Sequence, residues 1–215
     1  MSSLALHPRP SVRGRPPRPG LRDSILRAAE AIFTERDYHE VQMDDVADAC
    51  GVGKGTLYRY FRSKRDLYLA VMFEGIGRLH SEIEAVVRTG DAPAHKVERI
   101  VRCTLGYFWE RRRFFALIHQ NEHKPDRDVR EWLRRRQQLV QLVQTALDQG
   151  IGLGQFRAVD SRIATEMLFG MMRAVNRYRG PDDDIEALVD TVVDTFMRGA
   201  GTTEGRRAVR RAREV

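Results

Sequence analysis

Lys54, Arg59, Arg62, Lys64 and Arg65 place five basic side chains between positions 54 and 65 without an intervening acid. Upstream, Asp44, Asp45 and Asp48 are acidic, so charge is segregated along this stretch. Such a cluster suits a polyanion, and backbone N–H groups at a helix start favour phosphate. Two other spacings could do chemistry. Gly51-Val-Gly-Lys-Gly-Thr56 has the glycine, lysine and threonine order of a phosphate-cradling loop. That loop needs a glycine where Asp48 stands and a buried strand before it, and Val41–Ala47 has two acids and no strand pattern. His119-Gln-Asn-Glu-His123 puts two histidines on one helical face, with Glu122 beside them. A peptidase also needs a third ligand and a larger scaffold. The preferred reading is polar residues near a helix end before Pro125. A metal-sensing site is weighed beside it, and no catalytic residue, metal or cofactor is assigned.

These residues sit in a chain of 215, 42% hydrophobic and 31% charged. That is enough to bury a core, which excludes disorder of the whole chain. No stretch of about 18 apolar residues is free of charge, which excludes a membrane helix. Met1–Leu6 shows no secretory pattern, and Cys50 and Cys103 cannot build a disulfide framework, so a reducing cytoplasm is expected. The net charge is +7, with +4 in residues 1–20 and +3 in residues 201–215. A neutral body with two basic arms points to an anionic partner.

The elements that position the cluster are helices. Ile25, Leu26, Ala29, Ile32 and Phe33 recur every three or four residues from Leu21 onward. Short helices fit Asp44–Cys50 and Lys54–Tyr60, with Gly51 turning the chain between them. Ser63 and Asp66 have capping-box spacing for a fourth helix. Further helices are predicted over Ala94–Arg112, Phe114–Glu122, Asp126–Gln149, Asp160–Arg179 and Asp183–Arg198, with Gly150–Gly154 read as a turn. No period-2 run is long enough for a strand. The expected fold is all-α, with about nine helices. Residues 1–20 form a disordered basic arm, 21–72 a DNA-binding domain, 73–200 an effector-binding and dimerisation domain, and 201–215 a basic tail.

Two short helices about a glycine turn make a helix-turn-helix, whose second helix enters the major groove by its N-terminus. Residues Leu21 to Met72 resemble the DNA-binding domain of the TetR (tetracycline-repressor-like) family of bacterial regulators. The stretches that carry the resemblance are Ile25-Leu-Arg-Ala-Ala-Glu-Ala-Ile-Phe33, Met43-Asp-Asp-Val-Ala47, Gly51-Val-Gly-Lys-Gly-Thr-Leu-Tyr-Arg-Tyr-Phe61 and Ser63-Lys-Arg-Asp-Leu67. The resemblance implies base-edge or phosphate contacts from Lys54, Gly55, Thr56 and Tyr58, and mainly phosphate contacts from Arg59, Tyr60 and Lys64. Gln42 and Gly53 stand where the family has Thr or Ser. Glutamine caps poorly, which leaves roughly 1 kcal/mol missing at the start of the second helix. Its side-chain amide could replace the missing hydroxyl at DNA.

Arg13-Gly-Arg-Pro16 matches the core of an AT-hook, which would send Arg13 and Arg15 into a narrow A·T-rich minor groove, and the alternative reading is a flexible basic tail whose match is chance. The reading as a whole is a transcriptional repressor released from a pseudo-palindromic operator by a small-molecule effector. The alternative is an effector-independent architectural DNA binder. Candidate pocket residues are Tyr107, Phe108, Phe115, Trp132, Phe169 and Met171. Arg111–Arg113 and Arg134–Arg136 read as solvated faces, or as contacts to an acidic ligand such as an acyl thioester. A homodimer is expected through Met167, Met171, Ala174, Leu188, Val189, Val192, Val193 and Phe196, because two apolar stripes exceed what one chain covers.

Overall fold

Three helices open the described residues, and the residues that bury them are those with helical spacing. α1 (Leu21–Glu35) buries Ile25, Leu26, Ala29 and Phe33. α2 (Met43–Ala49) buries Met43, Val46 and Ala47, and α3 (Lys54–Tyr60) buries Leu57. Phe61 and Val41 complete this small core. In the computed structural model, residues 19–111 and 127–213 are described. The arm with Arg13 and Arg15, the expected helix over Phe114–Glu122, Phe115, and the His119, Glu122 and His123 cluster lie outside them.

α4 (Lys64–Arg88) is 25 residues long, about 37 Å at 1.5 Å per residue. Its first turns bury Leu67, Tyr68 and Val71, with Tyr68 edge-on to Phe33 of α1, and its later turns bury Ile76, Leu79, Ile83 and Val86. One continuous helix thus crosses position 72. Ser63 caps it by accepting the Asp66 N–H at 3.1 Å. The Asp66 carboxylate reaches one residue further back than a capping box requires, accepting from the Arg62 N–H at 2.9 Å.

The remaining helices pack around α5 (Pro93–Glu110), which touches α4, α6 (Arg127–Gly152), α7 (Ser161–Tyr178), α8 (Ile185–Ala200) and α9 (Thr203–Arg213). α5 buries Ala94, Val97, Ile100, Val101 and Leu105. Asp160 and Asp184 cap α7 and α8 by accepting backbone N–H groups of the first turn. Among the described residues there are nine helices and a single isolated β-bridge, Phe156 to Gly201.

Two expectations need correction. α6 does not stop at Gln149 but runs through Gly150 to Gly152. A Cβ at Gly150 would collide with the Phe156 ring, so this glycine serves close packing inside a helix. The turn is made at Gly154, whose φ of 70° suits glycine. Residues 203–213 are a packed helix and not a tail. Val209 and Gly205 face inward, and Thr202 Oγ1 donates to the carbonyls of Gly154 at 2.7 Å and Gln155 at 3.0 Å.

Candidate nucleic-acid interface

α3 is fixed from beneath by Leu57, which is wholly buried, while Lys54, Gly55, Tyr58 and Arg59 are exposed on its outer side. Thr56 is half-buried. Apart from its chain neighbours and its own helix backbone, no described atom comes within 4 Å of where a Cβ on Gly55 would sit, so its surface is open to an approaching partner. Before α3 the chain turns on Gly51 (φ 63°), with the Val52 N–H donating to Ala47 O at 3.0 Å. The segment preceding that turn is a helix, so the phosphate-cradling loop of a nucleotide-binding enzyme is excluded.

Gln42 is exposed before α2 and forms a capping box with Asp45, three residues on, in place of the poor cap expected of glutamine. Asp45 accepts the Gln42 N–H at 3.0 Å and pairs with Arg36 at 2.9 Å. The hydrogen bond from the Gln42 backbone, then the Arg36 charge, hold the Asp45 carboxyl below its ordinary range. Asp44 turns outward. Its Oδ2 lies 2.9 Å from Lys54 Nζ, tying the first turn of α2 to the first residue of α3. This pairing holds the Lys54 ammonium above its ordinary range.

Two expected phosphate contacts do something else. The Lys64 ammonium donates to the carbonyls of Tyr38 at 2.7 Å, Val41 at 2.9 Å and His39 at 3.4 Å. It also lies 4.5 Å from the Tyr38 ring centroid. An ammonium has three donors, and here three backbone acceptors face it, so Lys64 clamps the α1–α2 loop. Tyr60 packs on the core with its hydroxyl buried and, among the described residues, without a hydrogen-bond partner. Both groups are thus turned toward the chain itself in this structure.

The reading helices are joined to the rest of the chain through Glu30 on α1. Its Oε1 accepts from Arg78 of α4 at 2.6 Å and from Arg111, just past α5, at 3.1 Å. From α6, Arg135 donates to Phe73 O on α4 at 3.1 Å. Nothing in the sequence singled out Glu30, because an acid on a helix otherwise read by its apolar stripe looks like surface.

The pocket candidates Tyr107, Phe108, Trp132, Phe169 and Met171 are all half-buried against the core. Burial pushes the Tyr107 phenol up to about 12. An open groove of about 830 Å³ runs along α4, bordered by Arg22, Arg65, Phe73, Arg78 and Arg135, and none of the described pocket candidates borders it. Arg134 and Arg135 pair with Glu131, and Arg136 pairs with Glu166 across α6 and α7. Of the dimer candidates, Val189, Val192, Val193 and Phe196 are 0–6% exposed within this one chain. They pack inside its own core, which corrects the two-stripe reading. Leu188 is half-buried, and Met167 and Ala174 are exposed. Among the described residues no group of three metal-ligating side chains occurs, and no helix is long and apolar enough to cross a membrane.

Residues 25–71 match the family described as bacterial regulatory proteins, tetR family, and residues 90–200 match the tetracyclin repressor-like C-terminal domain. The chain is 32% identical over 115 residues to the HTH-type transcriptional activator FasR of Mycolicibacterium smegmatis. That alignment takes in 54% of this chain and about half, 52%, of the activator. A TetR/AcrR-family regulator from Thermobifida fusca superposes with a TM-score of 0.73 at 21% identity, over 83% of this chain and 97% of that one. FadR of Bacillus subtilis, solved with stearoyl-CoA, superposes with a TM-score of 0.68 at 20% identity, over 82% and 98%. The helix-turn-helix, the helical body around α5 and these matches agree: the chain belongs to the TetR family of bacterial regulatory proteins, DNA-binding transcriptional regulators rather than enzymes.

Proposed function

We propose that this regulator acts as a homodimer on a pseudo-palindromic operator in the cytoplasm and is released from it by an amphipathic small molecule. The observation that carries the DNA half is the outer side of α3, where Lys54, Gly55, Tyr58 and Arg59 stand exposed over a helix anchored by Leu57. In this reading Lys54, Gly55, Thr56 and Tyr58 meet base edges, and Arg59 and Gln42 meet phosphates. Arg13 and Arg15 reach an adjacent minor groove. The architectural alternative leaned on two basic tails, and one of them is a helix packed on α5.

An acyl thioester is the effector class we favour. Support comes from FadR of Bacillus subtilis, which shares the fold and was solved with stearoyl-CoA. The half-buried aromatics on α5, α6 and α7 offer this chain's apolar lining. Release follows if the effector binds better to a state whose two reading helices are wrongly spaced.

The test selects duplexes from a random pool with the purified chain, then titrates the winning operator complex with acyl-CoA of several lengths. An enriched pseudo-palindrome, released by one length range, supports the reading. Binding without sequence preference would establish the architectural alternative. An operator complex indifferent to every acyl chain would remove the effector class.

A further inference from the structure

Asp44 is an acid on a surface made for a polyanion. It sits in the first turn of α2, and among the described residues its one partner is Lys54, at 2.9 Å. The neighbouring acid, Asp45, caps α2 and pairs with Arg36. Asp44 has no such internal duty. Both members of its pair are more than half exposed, at 57% and 61%, so the pair adds little to stability. Its consequence lies in what it does to Lys54.

A free lysine is a point charge on a flexible stem, and it can reach any nearby phosphate. Phosphate contacts add affinity without sequence information. Tied to Asp44, the ammonium is restricted in reach, and its charge is largely cancelled beyond a few ångströms. Two of its three donors remain. A guanine edge in the major groove offers two neighbouring acceptors, N7 and O6, which those two donors can satisfy while Asp44 keeps the third. A phosphate drawn to the same ammonium would be brought against the Asp44 carboxylate. The pair therefore admits the neutral guanine edge and disfavours the charged backbone.

We propose that Asp44 determines specificity by holding Lys54 for a guanine edge and away from phosphates. It acts through Lys54 and is a positioning residue. The proposal rests on α3 reading DNA as described above.

The experiment uses the full chain, the operator selected by the wild-type protein and a scrambled duplex, with binding measured across salt concentrations. Wild-type preference for its operator is established first; without it the reading of α3 fails, independently of Asp44. With Asp44→Asn, Lys54 is free to take a phosphate. Scrambled-duplex affinity should rise about three- to sixfold near 0.15 M salt, and the salt slope should steepen by about 0.9. Operator affinity should gain less, so the ratio of the two falls, and selection with the variant should lose a guanine position. In a Lys54→Ala background the same substitution should leave the ratio unmoved. The proposal is overturned if scrambled binding and its slope do not change. It is equally overturned if the effect persists without Lys54, or if operator binding alone collapses, which would make Asp44 a direct reader of a cytosine amino group.

Discussion

Lys64 shows how far a side chain's type can mislead about its work. In the sequence it is one of five cations in a stretch of twelve residues without an acid, and a cation beside a recognition helix reads as a phosphate contact. In the fold it is the hub of the α1–α2 loop, held by three carbonyls between residues 38 and 41. Lys64→Met keeps the stem and removes the donors. Charge-assisted hydrogen bonds of this kind contribute about 1.5–3 kcal/mol, and three orphaned carbonyls add to the loss. Urea unfolding should therefore show a drop of about 2 kcal/mol or more. The salt slope of DNA binding should keep its wild-type value, because no counterion is displaced by Lys64. A slope flattened by about 0.9 with unchanged stability would restore the phosphate role. Asp45 makes a second prediction at this scale. Its folded pKa is depressed, led by the Gln42 N–H. The stabilisation it provides is present above the ordinary carboxylate range and is lost as pH falls through the folded value. Asp45→Asn should flatten the acid limb of the stability curve below about pH 4 and leave its shape near neutrality unaltered. An unchanged acid limb would show that the cap carries no linkage.

At the scale of elements, what could be read in advance was set by where each helix gets its information. α1, α3 and the starts of α4, α7 and α8 carry local signals: apolar spacing, and Ser63, Asp160 and Asp184 at or beside the expected starts. The end of α6 depends on Phe156 lying across Gly150, a contact made by a residue beyond the helix and invisible in the pattern. α9 was missed because five arginines outweigh its few inward residues, Gly205, Ala208 and Val209, in any composition-based reading. Its first turn lies at the end of α5 opposite the contact with α1. The 153–156 turn that holds its first turn also caps α5, where Gln155 Oε1 accepts the Ala94 N–H at 3.0 Å. The opposite end of α5 leads to Arg111 and its bond to Glu30 on α1. Those ends are about 27 Å apart along an 18-residue helix. Removing residues 203–215 should expose the face covered by Val209 and cost roughly 2 kcal/mol or more, read as a lowered thermal midpoint. Operator binding should keep its salt slope at temperatures where the shortened chain stays folded. A flattened slope there would show that the α9 arginines do touch DNA.

For the whole molecule, the question is what a second copy would cover. The stripe on α8 answers inwardly: Val189, Val192, Val193 and Phe196 are packed in the chain's own core, and the outward side carries Glu186, Asp190, Asp194 and Arg198 among other exposed residues. α7 is different. Ile163 is 43% exposed, Met167 64% and Tyr178 79%, with Ala174 also exposed between them at helical spacing. That is one apolar face without cover, flanked by the exposed Arg162, Arg173 and Arg177. A two-fold axis that sets α7 and α8 against their mates, as in a four-helix bundle, would cover this face. Dimerisation would also space two reading helices about one DNA turn apart, which a seven-residue helix needs to bind tightly. The informative substitution is thus Met167→Asp. It lies on the surface of one chain, so its intrinsic cost to the fold should stay within about 0.5 kcal/mol, yet it buries a charge in the dimer. Sedimentation should find a folded, helical monomer that binds a single half-site weakly and the full operator no better. Val192→Asp serves as the contrast. It puts a carboxylate into the core of the single chain, so it should unfold the protein and says nothing about pairing. If Met167→Asp sediments as a dimer with intact operator affinity, the α7 face is not the interface.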